Sequence, residues 1–109
     1  MTEKRFFSKG EKLERSTVCE MRACGESCKC KLEADHVTSW YKGGRTTEDN
    51  LLVLGIVCHA LRHLMDEEYY SCGLIFGRMT EEEKESFLKL AEGLNYPLPK
   101  VCTRRNSNP

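Results

Sequence analysis

The stretch over residues 31–62, KLEADHVTSWYKGGRTTEDNLLVLGIVCHALR, decides the fold. It opens with Leu32 and Ala34 alternating against Glu33 and Asp35, a period of two that predicts a strand ending on Asp35 and His36, which point to opposite faces. In the loop 37–49, Gly43 and Gly44 are flanked by Lys42 and Arg45, a turn signal that lets backbone come close to a phosphate. Asn50 then opens the apolar run 51–54, which predicts a second strand, with Gly55 turning into a helix over about 57–68. On that helix Ala60, Leu61, Leu64 and Met65 form an apolar stripe for packing on the hairpin. His59, Arg62, His63 and Asp66 share a polar face at i, i+3, i+4 and i+7.

In these residues the chain resembles the HNH endonucleases, in which a strand ends in Asp-His or His-His and a Gly-rich loop leads to an Asn. A second strand follows there, and a helix begins with Cys-His-x-x-Lys/Arg. The three name residues fall on His36, Asn50 and His59, with Arg62 at the final basic position. Agreement at several fixed offsets makes this far more specific than any lone dipeptide. The resemblance implies an α+β fold: a small ββα-metal core, a β-hairpin packed on a helix, here with an additional C-terminal helix.

It also implies hydrolysis of DNA phosphodiester bonds, by nicking or double-strand cleavage. Such a reaction needs a group that deprotonates water near neutral pH, and positive charge where the phosphate and leaving oxygen become more negative. A histidine suits the first need and a bound divalent cation the second. By resemblance His36 is the general base, Asp35 and His59 hold one cation (Mg²⁺, Mn²⁺ or Ni²⁺), and Asn50 holds the loop that orients His36. His63 is a further ligand candidate, an arrangement similar to the colicin DNases. Lys42, Arg45 and Arg62 are the expected nucleic-acid contacts.

The 109 residues suit one small domain with a modest core. No apolar run approaches a membrane span, and the first 16 residues lack an apolar signal core. The expectation is a soluble intracellular protein, in the cytoplasm or, for a phage-encoded chain, the host cytoplasm. Seventeen bases balance seventeen acids, which argues against a protein that coats nucleic acid by charge alone. Residues 1–31 carry eight bases against five acids, and 66–92 three against eight. Nucleic acid is therefore expected at the N-terminal third, the central loop and the tail, with the acidic C-terminal helix facing away.

Seven cysteines without a signal peptide point to metal ligands or reduced thiols rather than a disulfide framework. Cys19, Cys24, Cys28 and Cys30 crowd around Gly25. Many HNH proteins hold a structural zinc with one Cys-x-x-Cys here and another before the helix, but Met21 and Gly55 occupy two of those positions. A structural Zn²⁺ would have to recruit Cys24 and Cys58 with neighbours such as Cys28, Cys30 or Cys19. The alternative is a set of packed thiols.

The remaining segments divide into an N-terminal arm over 1–16, flexible or a short helix docked through Phe6-Phe7, the Cys-rich knuckle and nuclease core over 17–68, a connector and helix over 69–98, and a basic tail over 99–109, expected to be disordered with Arg104 and Arg105 as a candidate phosphate contact. Gly73 and Gly77 are expected to end the preceding helix and bound a packed connector. Thr80 and Glu83 form a capping-box signature for a core-completing helix carrying Phe87, Leu88, Leu90, Ala91 and Leu94. Two other functions fit the same residues: a catalytically silent, zinc-stabilised DNA-binding or protein-interaction module, and a nuclease acting on RNA or single strands. A nuclease with one site needs a homodimer or two successive nicks to cut both strands.

Overall fold

A computed structural model describes residues 6–23 and 30–102 of the chain. Cys24, Cys28 and the tail arginines Arg104 and Arg105 lie outside the described residues. The elements run α1 (Lys9–Arg15), β1 (Leu32–His36), β2 (Leu51–Gly55), α2 (Ile56–Met65), α3 (Tyr69–Gly77) and α4 (Glu81–Leu94), with short 3₁₀ turns at Trp40–Lys42, Glu48–Asn50 and Lys100–Cys102. The architecture is α+β, an antiparallel two-stranded hairpin with helices, as the ββα-metal reading expects.

The hairpin register pairs Asp35 with Leu52 and His36 with Leu51, so the two chemistry-bearing residues sit at the open end of the ladder beside the 37–49 loop. Beyond the ladder, Val37 N–H donates to the Asn50 carbonyl at 2.9 Å and Ile56 N–H to the Lys31 carbonyl at 2.7 Å. Glu20 serves the other edge of β2. Its own N–H donates to the Val53 carbonyl at 2.9 Å, and its carboxylate accepts the Val53 N–H at 2.7 Å. Arg15 closes on that carboxylate at 3.0 Å, which joins α1 to the sheet.

Gly55 is the N-cap of α2, so β2 passes into the helix without a loop. The helix buries Ile56, Val57, Cys58, Ala60, Leu61 and Leu64 and leaves Met65 40 % exposed at its end. It stops at Met65 rather than at 68, because Glu67 adopts a left-handed backbone (φ 60°) that a right-handed helix cannot contain.

Residues 69–77, expected as a connector, form the helix α3. Its sequence YYSCGLIFG is apolar on nearly every side, so no amphipathic period announces it. Gly73 does not terminate a helix here; it permits a close approach, since a Cβ at that position would come within 2.7 Å of Val101 Cγ2. In the last 3₁₀ turn Cys102 is buried and hydrogen-bonded to the equally buried Cys72 of α3.

α4 begins as its capping box predicts, Thr80 Oγ1 accepting the Glu83 N–H at 3.1 Å and Glu83 accepting the Thr80 N–H at 2.9 Å. It ends on Asn95 in the left-handed conformation, two residues past Gly93. Phe87, Leu88 and Ala91 are buried against α2 and α3, whereas Leu94 is exposed. Burying a side chain such as Phe87 is worth about 1.5–3 kcal/mol. Together the three helices supply the apolar cover that a two-stranded hairpin cannot provide for itself.

The loop between the strands folds back on itself. Gly44 N–H donates to the Ser39 carbonyl at 2.9 Å, and Gly43 takes a positive φ of 91°. A Cβ on Gly44 would lie 1.7 Å from the Thr38 carbonyl oxygen, a backbone atom with no side-chain freedom to yield. A Cβ on Gly43 meets no atom and adds only the strain of a positive φ, about 1–2 kcal/mol. Gly44→Ala is therefore expected to lower the melting temperature further than Gly43→Ala and to raise hydrogen exchange at the 38–45 amides; equal effects would show that the close approach is not needed.

Candidate metal centre

The polar face of β1 lies against the polar face of α2. Period two places Glu33 and Asp35 on one side of the strand, and the i, i+4 spacing places His59 and His63 on one side of the helix. Asp35 is 6 % exposed, and its Oδ1 lies 3.6 Å from His59 Nε2 and 3.7 Å from His63 Nε2. The two imidazole rings have centroids 5.1 Å apart.

Each histidine is oriented through its other nitrogen. His59 Nδ1 donates to Glu33 Oε1 at 2.7 Å, and His63 Nδ1 meets Glu68 Oε1 at 2.5 Å. Glu33 is in turn held by Arg78 at 2.6 Å. A carboxylate behind each imidazole fixes the ring orientation, the arrangement found behind metal-bound histidines. Ligand atoms about 2.1 Å from a tetrahedral cation stand about 3.4 Å apart. The Asp35–His59 and Asp35–His63 separations match that spacing, and the three ligand atoms all lie within 4.8 Å of one another. One carboxylate and two imidazoles therefore fit a divalent cation in both chemistry and spacing.

Charge at the cluster is strongly coupled. Burial pushes the Asp35 carboxyl up, but hydrogen bonds and charge from His59 and His63 outweigh it and hold the group far below the usual carboxylate range. Burial pushes His59 down, while Asp35 and Glu33 outweigh that and raise it above its ordinary value. Burial likewise opposes Glu33, which His59 and Arg78 bring below the usual range. Both shifts favour the charged forms, a carboxylate at Asp35 and an imidazolium at His59.

His36, the next residue after Asp35, faces the other way. Its backbone N–H donates to Asp35 Oδ1 at 2.8 Å, while its Nε2 lies 3.0 Å from the buried Thr46 Oγ1. The ring packs against Phe7 at 4.8 Å and Trp40 at 6.1 Å between centroids. His36 and the Asp35–His59–His63 cluster line one open cavity of about 970 Å³.

Asn50 closes the loop behind His36: its Oδ1 accepts the Thr38 N–H at 2.7 Å, and its Nδ2 donates to the Thr38 carbonyl at 3.0 Å and the Arg45 carbonyl at 2.7 Å. Arg62 lies differently from an outward phosphate contact. Its guanidinium donates to Asp35 Oδ2 at 2.8 Å and to the His36 and Val37 carbonyls at 2.9 and 2.6 Å, bracing the end of β1. Lys42 is exposed, 3.8 Å from Glu68, and Arg45 is exposed on the loop.

Among the described cysteines, Cys19 rather than Cys30 is the one found beside Cys58. Their side chains are hydrogen-bonded, and the sulfurs accept backbone N–H groups from Arg22 and Ala23, each at 3.2 Å. Burial raises the Cys19 thiol, but N–H groups of Gly55 and Arg22, then Cys58 and Met21, bring it below its usual value. Cys30 packs against the helical core.

Sequence reasoning passed over Glu33, Thr46, Glu68 and Arg78. Glu33 was within reach of it, two residues before Asp35 and so on the same strand face. Thr46, Glu68 and Arg78 depend on loop and helix packing that no local pattern encodes.

A hairpin whose strand ends in Asp-His, followed directly by a helix bearing His-x₃-His, defines a ββα-metal domain. Residues 19–64 match the family model for HNH endonuclease, from Cys19 through both strands and into α2. No curated protein and no solved structure matches the chain.

Two measurements check the cradle. Glu33→Gln is expected to weaken divalent-cation binding by about 10–100-fold in calorimetry, the usual cost of losing a carboxylate behind a ligating histidine; unchanged affinity would separate Glu33 from the metal. A cation must also displace the proton whose pKa is raised at His59, while Asp35 is already ionised. Apparent affinity should therefore fall as pH is lowered, with a midpoint above the ordinary histidine value of about 6.5, and binding should release a proton. Affinity flat between pH 8 and 6 would contradict this.

Proposed function

We propose that the protein is a divalent-metal-dependent endonuclease that hydrolyses phosphodiester bonds in DNA. The observation that carries the reading is the opening of the Asp35–His59–His63 cradle and the His36 imidazole into one cavity.

Asp35, His59 and His63 would hold the cation. When bound, it supplies Lewis-acid stabilisation to the scissile phosphate and the leaving oxygen. His36 takes the proton from the attacking water. In the tautomer that donates Nε2–H to Thr46, the basic lone pair is on Nδ1, the usual way in which one imidazole nitrogen sets the role of the other. Asn50 keeps the loop that presents Thr46 and Trp40 closed on β1. Lys42 at the cavity and Arg45 on the loop between the strands meet backbone phosphates, while Arg62 contributes by bracing Asp35.

His36→Ala is expected to lower the metal-dependent relaxation rate of supercoiled plasmid by about 10²–10⁴-fold, the contribution of a general base, with melting temperature and cation affinity nearly unchanged. The assay compares Mg²⁺, Mn²⁺, Ni²⁺ and EDTA. Cleavage in EDTA, or full activity in the mutant, would overturn the reading. Parallel reactions on single-stranded DNA and on RNA define the polymer, and the kinetics of nicked and linear products separate successive nicks from cutting by a homodimer.

A structural Zn²⁺ at the knuckle is the second part of the proposal. It is supported by the Cys19–Cys58 pair and its backbone N–H donors, which favour thiolate sulfur. Cys24, Cys28 and Cys30 are the sequence candidates for the remaining ligands. Protein prepared without added metal should contain about one zinc per chain, and chelation should lower its melting temperature, because metal-binding energy appears as folding energy. A zinc-free preparation with the same melting curve would leave Cys19 and Cys58 as packed thiols.

A further inference from the structure

The N-terminal arm reaches the same cavity from outside the matched segment 19–64. Its course is fixed by a second capping box. Ser8 Oγ accepts the Glu11 N–H at 3.1 Å and Glu11 accepts the Ser8 N–H at 2.7 Å, so α1 starts at Lys9 and Phe7 takes the position just before the cap. A hydrophobic residue there ordinarily packs on the fourth residue of its own helix. That residue is Lys12, and its ammonium instead donates to the Leu32 carbonyl of β1 at 3.1 Å. At the far end of α1, Arg15 holds Glu20, which is itself hydrogen-bonded to β2 through Val53. The helix is thus tied to both strands, and Phe7 is delivered onto His36 with ring centroids 4.8 Å apart and planes inclined by 43°. Phe6, its neighbour, is 73 % exposed.

Trp40 meets the same imidazole edge-on at 6.1 Å, from the loop that Asn50 closes. Thr46 Oγ1 lies 3.0 Å from the ring atom Nε2. Two aromatic groups at different inclinations, 43° and 61°, restrict the plane as well. We propose that Phe7 is a positioning residue, which together with Trp40 clamps the His36 imidazole in its working orientation and makes the N-terminal arm part of the catalytic apparatus.

The proposal rests on His36 being the general base, so its test has one arm that needs activity and one that does not. In the first, Phe7→Ala is expected to lower kcat for metal-dependent cleavage by about 10–100-fold, the scale on which a small misplacement of a catalytic group acts. KM, calorimetric cation affinity and melting temperature should stay close to wild type, and Phe7→Tyr should restore most of the rate where Phe7→Leu does not. In the second, the Phe7 ring current displaces the His36 ring C–H resonances, which should move towards ordinary values in Phe7→Ala and return in Phe7→Tyr. A higher kcat in Phe7→Ala would make the arm an inhibitory cover and overturn the proposal. An unchanged kcat, or a loss matched by weaker cation binding and lower melting temperature, would also overturn it. Wild-type protein that cuts no nucleic acid defeats the nuclease reading alone; the clamp is then decided by the resonances, and unaltered His36 signals in Phe7→Ala defeat it. Should Phe7→Ala fail to fold, Phe7→Leu against Phe7→Tyr makes the same comparison.

Discussion

Everything near the cavity depends on one buried carboxylate. Asp35 is almost fully enclosed between β1 and α2 and remains ionised there. Taking a carboxylate out of water costs several kcal/mol unless its oxygens are matched. Here Oδ2 receives the Arg62 guanidinium and Oδ1 receives the His36 N–H, with both imidazoles close by. Removing one partner from such a site typically costs about 3–5 kcal/mol, because the charge that remains has nowhere to go. The seam between strand and helix therefore holds a fixed negative charge surrounded by groups that can give way to a cation.

That seam is polar, so it cannot also supply the core. The apolar side of α2 does so, with Ile56, Val57, Ala60, Leu61 and Leu64 packed among Cys72, Ile75, Phe76, Phe87 and Leu88. One helix thus divides its two faces between stability and chemistry. The division explains the acidic C-terminal segment too. α4 buries Phe87, Leu88 and Ala91 and turns its many glutamates to solvent, so the acids that offset the basic arm are kept on the helix that completes the core.

The parts of this arrangement with a period or a fixed offset were legible in the sequence. Strand alternation placed Asp35 and His36, helical spacing placed His59 and His63, and the Thr80–Glu83 box placed α4. α3 gives no such signal, because a helix apolar on all sides has no periodic signature and Gly73, a residue type that commonly ends helices, here leaves room for Val101. The Ser8–Glu11 box, which obeys the same rule as Thr80–Glu83, went unread because no apolar stripe follows it. Arg62 was placed correctly on the polar face, but the face turns towards β1, so the guanidinium braces protein carbonyls. Among the described residues Cys58 meets Cys19, a pairing that spacing from Met21 and Gly55 does not determine.

The two halves of the site are held by unlike means. The cradle is local: His59 and His63 come from adjacent turns of one helix, Glu33 and Asp35 from one strand, and their relative positions follow from regular geometry. The His36 side is assembled from Phe7 in the arm, Trp40 and Thr46 in the loop, and Asn50 at the start of β2, groups separated by up to 43 positions in the chain. Each of those contacts depends on a segment without regular structure or on a short helix docked at the edge. A change remote in sequence can therefore shift the His36 imidazole while leaving the Asp35–His59–His63 cluster in place, whereas the cluster depends on β1, α2 and the carboxylates directly behind them.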